Sequence, residues 1–285
     1  MKLEIEFVKC NTADNMTILV VSELPPVQLA PIASQLMSYG HLYAEQVGYV
    51  EGSAHHGCAA KLQMAGGEFC GNACLALGAQ LASARMLLPG ERVEVMLETS
   101  GSLRPVTCEV EKLSSGYQCE ASTPIPKIVE CSSFAFEGLH LEVGIVRYTD
   151  SFHLLIDLEQ FELDAPAAER LARLAGVVTG ADLVGVMLYR PSTHELKPLI
   201  FVPTLDSLIW EQGCGSGTAS LGCYLAWSTR KSIDIPVLQP GGIIHTNVCW
   251  HEKSIKSVHI KSTVDIVAQG KTYVNIANEH SFLRR

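Results

Sequence analysis

The amino-acid sequence predicts an α/β protein made of two similar halves that face each other across a cleft. Strand and helix patterns alternate along the chain, with strands predominating, and one cysteine motif occurs twice. Six identities relate the two copies, each at a separation of 144 residues. They pair Cys70 with Cys214, Gly71 with Gly215, Leu77 with Leu221, Gly78 with Gly222, Leu81 with Leu225 and Ala82 with Ala226. We therefore expect two copies of one α/β unit related by a pseudo-twofold axis.

The first half begins with strand patterns on either side of a helix pattern. Residues 3–8 alternate apolar and charged side chains, and a second strand is predicted over residues 16–21. A helix over residues 27–38 is followed by Gly40, which favours its termination there. The next strand includes residues 47–50. The first copy of the cysteine motif comes after these elements.

The second half repeats this order after a proline-rich segment. Residues 122–126 carry two prolines and are predicted to be a linker. Strands over 140–146 and 153–158 precede a helix that Asp164 caps and that Gly176 is expected to end. A further strand covers 183–189.

The end of the chain is expected to return to the first half. Strand patterns at 257–260 and 264–268 precede a predicted turn at 269–271, and residues 273–276 then complete the first sheet. The prediction is a first half comprising residues 1–123 plus 266–285, which carries Cys70. The second half comprises residues 124–265 and carries Cys214.

Composition excludes several classes of partner. The 285 residues carry a formal net charge of −9 without any basic run, so neither nucleic acid nor an anionic membrane is an expected partner. Hydrophobic residues make up 47% of the chain, but no apolar run approaches the length that spans a bilayer. The start of the chain lacks a signal-peptide pattern. We expect a soluble, cytoplasmic protein.

The ten cysteines are expected to be reduced thiols, most of them in the core, because they are irregularly spaced and no secretion signal is present. Cys70 and Cys74 have a metal-ligand spacing, but no second close pair completes a zinc set, so no metal is expected. The pair at residues 55–56 is interpreted as two exposed histidines in a loop. A cysteine hydrolase requires an oriented base, and nothing in the sequence links His153 to either thiol.

Each repeated cysteine lies on a glycine-rich turn immediately before a helix pattern. A helix N-terminus offers unpaired N–H groups and a partial positive charge. A thiol placed there is expected to ionise more easily than a free thiol. The same N–H groups can bind a carboxylate, and glycine lets it approach closely.

Two such turns facing each other would place the Cα of an amino acid between two sulfurs. Racemisation requires a base on one face of Cα and an acid on the other, which a thiolate and a thiol provide. Like charges repel, so the pair should share one proton. The sequence thus predicts that Cys70 and Cys214 are a paired acid and base. A lone cysteine in such a turn is usually structural; the repetition favours the catalytic interpretation.

These residues resemble the diaminopimelate epimerase superfamily, whose members have two similar halves, each with a curved sheet around a hydrophobic helix. They use one cysteine from each half and no pyridoxal phosphate. The resemblance rests on the two cysteine motifs and extends to Asn15, Gln46 and His153. The Arg that follows the ammonium-binding Glu in diaminopimelate epimerases is Gln212 here, and the Asn of their Asn-Pro-His segment is Ser151. Diaminopimelate is therefore a poor substrate candidate.

The chain is more closely similar to histidine racemases, including those that supply D-histidine for staphylopine-type metallophores. The similar segments span nearly the whole chain, and residues 208–222 are the most specific. The resemblance implies racemisation of L- and D-histidine without a cofactor, with Glu211 binding the ammonium and Glu45 orienting the imidazole. The expected substrate-binding residues are Asn15, Glu45, Gln46, Gly71, Asn72, Glu211, Gly215 and Ser216.

Several alternatives stay open at this point. A carboxylate at a strand end, such as Glu211 or Glu45, is often merely solvated. The substrate is alternatively another amino acid, of the diaminopimelate or hydroxyproline type, or the chain is a non-catalytic amino-acid-binding relative. Because the superfamily often forms dimers, a homodimer is expected.

Overall fold

A computed structural model of the protein describes residues 2–149 and 151–276. The fold is mixed α+β and dominated by a sheet. The strands are β1 (Lys2–Thr12), β2 (Asn15–Val20), β3 (Gln46–Glu51), β4 (Ala60–Met64), β5 (Arg92–Thr99), β6 (Val106–Lys112), β7 (Tyr117–Ser122), β8 (Ile128–Phe136), β9 (Leu139–Arg147), β10 (Ser151–Asp157), β11 (Leu183–Arg190), β12 (Glu195–Val202), β13 (Ser207–Trp210), β14 (Ile233–Gln239), β15 (Gly242–His251) and β16 (Ser254–Asn275). The α-helices are α1 (Leu29–Met37), α2 (Gly71–Ser83), α3 (Ala165–Thr179) and α4 (Gly215–Thr229).

The element order repeats, as the sequence predicts. In the first run β2 and β3 are parallel, with α1 between them, and β3 pairs with β4 in antiparallel fashion. In the second run β10 and β11 are parallel, with α3 between them, and β11 pairs with β12 in antiparallel fashion. The helices that carry the cysteines, α2 and α4, occupy equivalent places, before β5 and before β14. The predicted fold class is confirmed.

The sheet wraps around α2 and α4, and this explains the composition of both helices. Nearly every residue of the first three turns of α2 is buried, so the helix is apolar on all faces. The repeated glycines mark close approaches of the sheet: a Cβ on Gly78 would collide with the Cys108 sulfur, and one on Gly222 would lie 2.7 Å from Thr246 Oγ1. The repeat thus encodes the contact between helix and sheet in both runs.

Two predicted boundaries are wrong. The turn expected at residues 269–271 is absent, because β16 runs without interruption from β7 and β15 to β1, where Gly270 lies opposite Phe7. Helix α3 continues past Gly176 and ends at Thr179, where Gly180 adopts the left-handed conformation that terminates helices. Gly176 instead lets the ring of Phe201 approach the helix.

Other features agree with expectation. Residues 123–127 between β7 and β8 have no regular structure, as the two prolines predict, and the histidines at 55–56 are exposed in a loop. Among the described residues, no helix combines the length and apolar character needed to cross a bilayer. The predicted return of the chain to the first half is observed as the pairing of β16 with β1. The final residues assigned to that half, 277–285, lie outside the described part of the chain.

Candidate active site

Cys70 and Cys214 have nearly identical local structure. Each is the N-cap of its helix, Cys70 with φ −127° and ψ 111° and Cys214 with φ −121° and ψ 107°. The Cys70 sulfur accepts from the Ala73 N–H at 3.4 Å, and the Cys214 sulfur accepts from the Gly217 N–H at 3.3 Å. A sulfur therefore takes the place that a Ser or Asp oxygen usually occupies at an N-cap.

The N-termini of α2 and α4 meet, and the Asn72 side chain joins them. Its Nδ2 donates to the Gly213 carbonyl at 2.7 Å, and its Oδ1 accepts from the Gly215 N–H at 3.1 Å. Glycine is needed at this contact. A Cβ on Gly71 would lie 3.5 Å from the Gly215 backbone, and one on Gly215 would lie 2.8 Å from Asn72 Oδ1. The two cysteine turns consequently face one space.

That space is a cavity of about 620 Å³ including its open mouth. Nearly all of the site residues that the sequence predicts line it. These are Cys70, Cys214, Glu45, Gln46, Gly71, Asn72, Glu211, Gly215 and Ser216. Among the described residues that line it, no Lys, Arg or His occurs, and the only ionisable groups besides the thiols are the carboxyl groups of Glu45, Glu68 and Glu211.

Asn15 is the nominated residue that does not border the cavity. It is fully buried at the start of β2, where its Oδ1 accepts from Gln46 Nε2 at 2.8 Å. The nearby Asn15 side chain also lowers the pKa of Glu211. Asn15 therefore reaches the site only through these two side chains.

The two thiols have different polar neighbours. The Cys70 thiol donates to Gln46 Oε1 at 3.1 Å, and Gln46 Nε2 is held by Asn15 and by Thr17 Oγ1. The Cys214 sulfur instead lies 3.5 Å from Ser216 Oγ. Gln46 is the first residue of β3, which pairs with β2 in parallel fashion. The equivalent residue of the second half is Leu183, the first residue of β11, which pairs with β10 in parallel fashion. The halves are thus related in backbone and distinct in side-chain chemistry.

Three carboxyl groups in a confined space are hard to ionise. Burial, with repulsion from Glu45 and Glu68 added, raises the pKa of Glu211 to about 8. Burial also raises the pKa of Glu45 to about 7, although the Gln212 N–H opposes this shift. The pKa of Glu68 is raised mainly by burial. A cation bound in the cavity would therefore favour ionisation of these groups.

The expectation that the thiols ionise easily is wrong. Burial first, and the Glu211 carboxylate second, raise the pKa of both Cys70 and Cys214 well above the usual value. Hydrogen bonds from the first-turn N–H groups lower both pKa values but do not offset the desolvation. Both groups are thiols until something changes the charge in the cavity.

Sequence reasoning missed two residues of this site. Glu68 lies two residues before Cys70 and lines the cavity, but a carboxylate before a catalytic turn has no distinctive pattern. Gln239 Oε1 accepts from the Cys214 N–H at 2.7 Å, and its Nε2 donates to Thr218 Oγ1. Its signal is a polar residue that ends β14 and is almost completely buried, which only the fold reveals.

The residues considered for other chemistry lie elsewhere. Cys74 is a buried residue of α2, and burial raises the pKa of its thiol to about 12. His153 Nδ1 is 2.6 Å from Ser220 Oγ, so its bonded partner is a hydroxyl and not a thiol. Within the described part of the chain, no group of three or more His, Cys, Asp or Glu side chains is arranged to hold a metal ion.

Several known proteins are similar to this chain in sequence. A family model described as "Histidine racemase CntK N-terminal domain" matches residues 4–273. A histidine racemase of Staphylococcus aureus is 32% identical over 277 residues, which cover 95% of this chain and 98% of that protein. A histidine racemase of Fusobacterium nucleatum is 29% identical over 95% of this chain and 97% of its own length.

Solved structures with the same fold are much more distant in sequence. A hydroxyproline epimerase from Agrobacterium vitis with bound trans-4-hydroxy-L-proline superposes with a TM-score of 0.72 at 11% identity, covering 96% of this chain and 93% of that one. Methylitaconate-delta-isomerase superposes with a TM-score of 0.60 at 12% identity, covering 98% of each chain. The protein is an isomerase that racemises an amino acid, and the chain belongs to the histidine racemase family.

Proposed function

We propose that the protein interconverts L- and D-histidine by a two-base mechanism in which Cys70 and Cys214 exchange roles as base and acid. One observation carries this proposal: two thiols cap helices whose N-termini meet at one cavity. Histidine is the substrate named for the two relatives described above. The acidic lining of the cavity supports a cationic ligand.

The substrate carboxylate is proposed to bind at the helix N-termini. First-turn N–H groups have no partner within the helix and form the partially positive end of its dipole. We assign this contact to the N–H groups of Gly71, Asn72 and Ser216. The Gly215 N–H donates to Asn72 Oδ1, so Gly215 is proposed to contribute by leaving room for the substrate where the two helices meet.

The substrate ammonium is proposed to bind Glu211 and thereby to switch on the thiols. Glu211 is the largest charged cause, after burial, of the raised pKa of both cysteines. An ammonium beside it cancels that repulsion, so the pKa of the pair falls and one thiol releases its proton to solvent. Repulsion between two thiolates keeps the other thiol protonated. The resting pair of thiols would thus become an acid and a base only with substrate bound.

The chemical step follows from this arrangement. The thiolate on one face removes the α-proton and becomes a thiol, while the electron pair moves toward the carboxylate. The thiol on the opposite face then donates its proton to Cα and becomes the thiolate, which yields the other enantiomer. Helix N–H groups stabilise the charge that develops on the carboxylate.

The other nominated residues are proposed to support substrate or thiol. Gln46 accepts from the Cys70 thiol and fixes where its proton points, and Asn15 positions Gln46 and Glu211. Glu45 lies where the cavity meets a wider groove and is proposed to contact the bound amino acid there. We also propose that the protein works without a cofactor and is cytoplasmic. We further propose that it is a homodimer, which light scattering of the purified protein would test.

The proposal is tested with L-histidine in D2O, following optical rotation and deuterium at Cα. Cys70→Ala and Cys214→Ala are each expected to lose about 10²- to 10⁴-fold in racemisation rate, the usual contribution of one general acid or base. Cys74→Ala is the matched control, because Cys74 is a buried thiol one turn further along α2. Full racemisation by either cysteine variant would disprove the pairing.

A panel of L-amino acids in the same assay separates the alternatives. Exchange with diaminopimelate or hydroxyproline but not with histidine would assign another epimerase activity. Tight binding of histidine without any exchange would identify a non-catalytic binding protein.

A further inference from the structure

A second chamber adjoins the catalytic cavity and has polar atoms without partners. It has an empty volume of about 440 Å³ including its mouth, and it shares Glu68, Phe69, Leu183 and Ser216 with the cavity that holds the thiols. The remaining lining residues are Gly101, Thr123, Pro124, Tyr148, Ser151, His153 and Ala219. The two spaces therefore adjoin at the four shared residues.

Three buried polar atoms at this chamber have no hydrogen-bond partner among the described residues. They are Glu68 Oε2, Thr123 Oγ1 and His153 Nε2. The residues concerned are 9%, 9% and 1% exposed, respectively. Buried polar atoms without a partner are costly and rare in folded proteins, so three of them around one space indicate a ligand that satisfies them.

The His153 ring is held so that one nitrogen stays available. Its Nδ1 is 2.6 Å from Ser220 Oγ, which is in turn 3.0 Å from the Tyr148 hydroxyl. Burial lowers the pKa of His153 to about 4, so the ring is neutral near pH 7 and carries one proton. When Ser220 donates to Nδ1, that proton lies on Nε2, and His153 becomes a hydrogen-bond donor for a ligand.

The chamber therefore presents the Glu68 carboxyl as an acceptor, the Thr123 hydroxyl as a donor or acceptor, and His153 Nε2, which donates when Ser220 donates to Nδ1. Its other walls include Phe69, Pro124 and Leu183, which are apolar. An imidazole ring matches this set, because it is flat and carries one N–H donor and one nitrogen acceptor. A carboxylate matches poorly, since it offers no N–H donor to Glu68.

We infer that the second chamber is the side-chain subsite and that Glu68 is the residue that selects for imidazole, by accepting the ring N–H. The inference rests on the proposed histidine racemase function and names the residue that reads the side chain. The inference also gives Glu68 and Glu45 different roles. Glu45 borders the wide outer groove, whereas Glu68 borders both enclosed spaces.

The test compares Glu68→Gln with Glu45→Gln on two substrates. One is L-histidine, and the other is L-3-(thiazol-4-yl)alanine, which has a ring of similar shape with a nitrogen acceptor but no N–H. For Glu68→Gln, kcat/KM for histidine is expected to fall about 10- to 100-fold, the range for loss of a hydrogen bond to a charged group. The value for the thiazole is expected to fall by a smaller factor, because only the general effect of Glu68 on the charge of the cavity is lost, so the preference for histidine drops.

Glu45→Gln is expected to lower both values by the same factor. Thr123→Val, far from the cysteine turns in sequence, provides a second variant in the chamber and is expected to lower the preference for histidine several-fold. Melting temperatures measured in parallel establish that each variant is folded.

The outcomes separate the inference from the function it rests on. Equal losses on both substrates in Glu68→Gln, or no loss, would overturn the inference while leaving histidine racemisation by the unaltered protein intact. A chamber that holds only water would give this result. Loss of selectivity in Glu45→Gln instead would transfer the role to Glu45. Failure of the unaltered protein to racemise histidine would overturn the proposed function itself.

Discussion

Replacement of Glu211 by Gln tests the electrostatics of the cavity through protein stability. Glu211 is 9% exposed, and burial with repulsion from Glu45 and Glu68 raises its pKa from 4.5 to about 8. The folded state therefore binds its proton more tightly than the unfolded state does. The stability that comes from this proton is fully present below the unfolded pKa and is lost as the pH rises through the folded one.

The size of the effect follows from the two pKa values. A difference of that size corresponds to a loss on the order of 5 kcal/mol between pH 4.5 and pH well above 8. Glutamine resembles the protonated acid and does not ionise, so the Glu211→Gln protein should lack this part of the pH dependence. The remaining decline comes from the other acids whose pKa is raised, Glu45 and Glu68.

The measurement is urea unfolding at a series of pH values from 5 to 9.5. The free energy of unfolding of the unaltered protein is expected to fall toward high pH, and that of Glu211→Gln is expected to fall less, by roughly 3 to 5 kcal/mol. Glu94→Gln is the control, because Glu94 is exposed on β5. Parallel pH profiles for the unaltered protein and Glu211→Gln would refute the reasoning.

Three further substitutions test the geometry around the thiols. Gly215→Ala places a Cβ 2.8 Å from Asn72 Oδ1, so a loss of about 1–3 kcal/mol in unfolding free energy and a lower kcat are expected, although alanine is the better helix former; an unchanged kcat would contradict this. Asn72→Ala leaves the Gly213 carbonyl and the Gly215 N–H without their partner, and urea titration should show a loss of about 1–3 kcal/mol; no loss would mean that solvent replaces the amide. Gln46→Ala removes the acceptor of the Cys70 thiol proton and should lower kcat about 10-fold while shifting its pH profile, whereas a change confined to KM would show that Gln46 only binds substrate.

The repeat is the part of the site that the sequence predicts best. Identical residues at one separation locate both cysteines, and the same separation explains why Gly78 and Gly222 lie against the sheet. Glu211 lies three residues before Cys214, but pattern alone does not separate it from a solvated carboxylate at a strand end, and its predicted role depends on the family resemblance. The repeated features depend on local order in the chain, which is what a sequence displays directly.

The remaining features depend on distant segments. The continuous course of β16 requires β1, β7 and β15 to supply its partners, and the glycine at 270 imitates a turn signal. The raised pKa of the thiols arises from burial and from Glu211, whereas the sequence displays only the favourable helix N-terminus. Glu68 and Thr123 border one chamber only because β7 and the cysteine turn of α2 come together in the fold.

The central claim, that two thiols act on opposite faces of Cα, is tested most directly by isotope labelling at low conversion. Protiated L-histidine is incubated with the protein in D2O. Both enantiomers are then separated, and the deuterium content of each is measured by mass spectrometry. The account predicts that the D-histidine formed carries deuterium at Cα, because its proton comes from the second thiol after exchange with solvent. The recovered L-histidine should stay protiated, and the reverse reaction from D-histidine should show the mirror pattern. Deuterium in the recovered substrate at low conversion, or product that keeps the original proton, would indicate a single base and contradict the account.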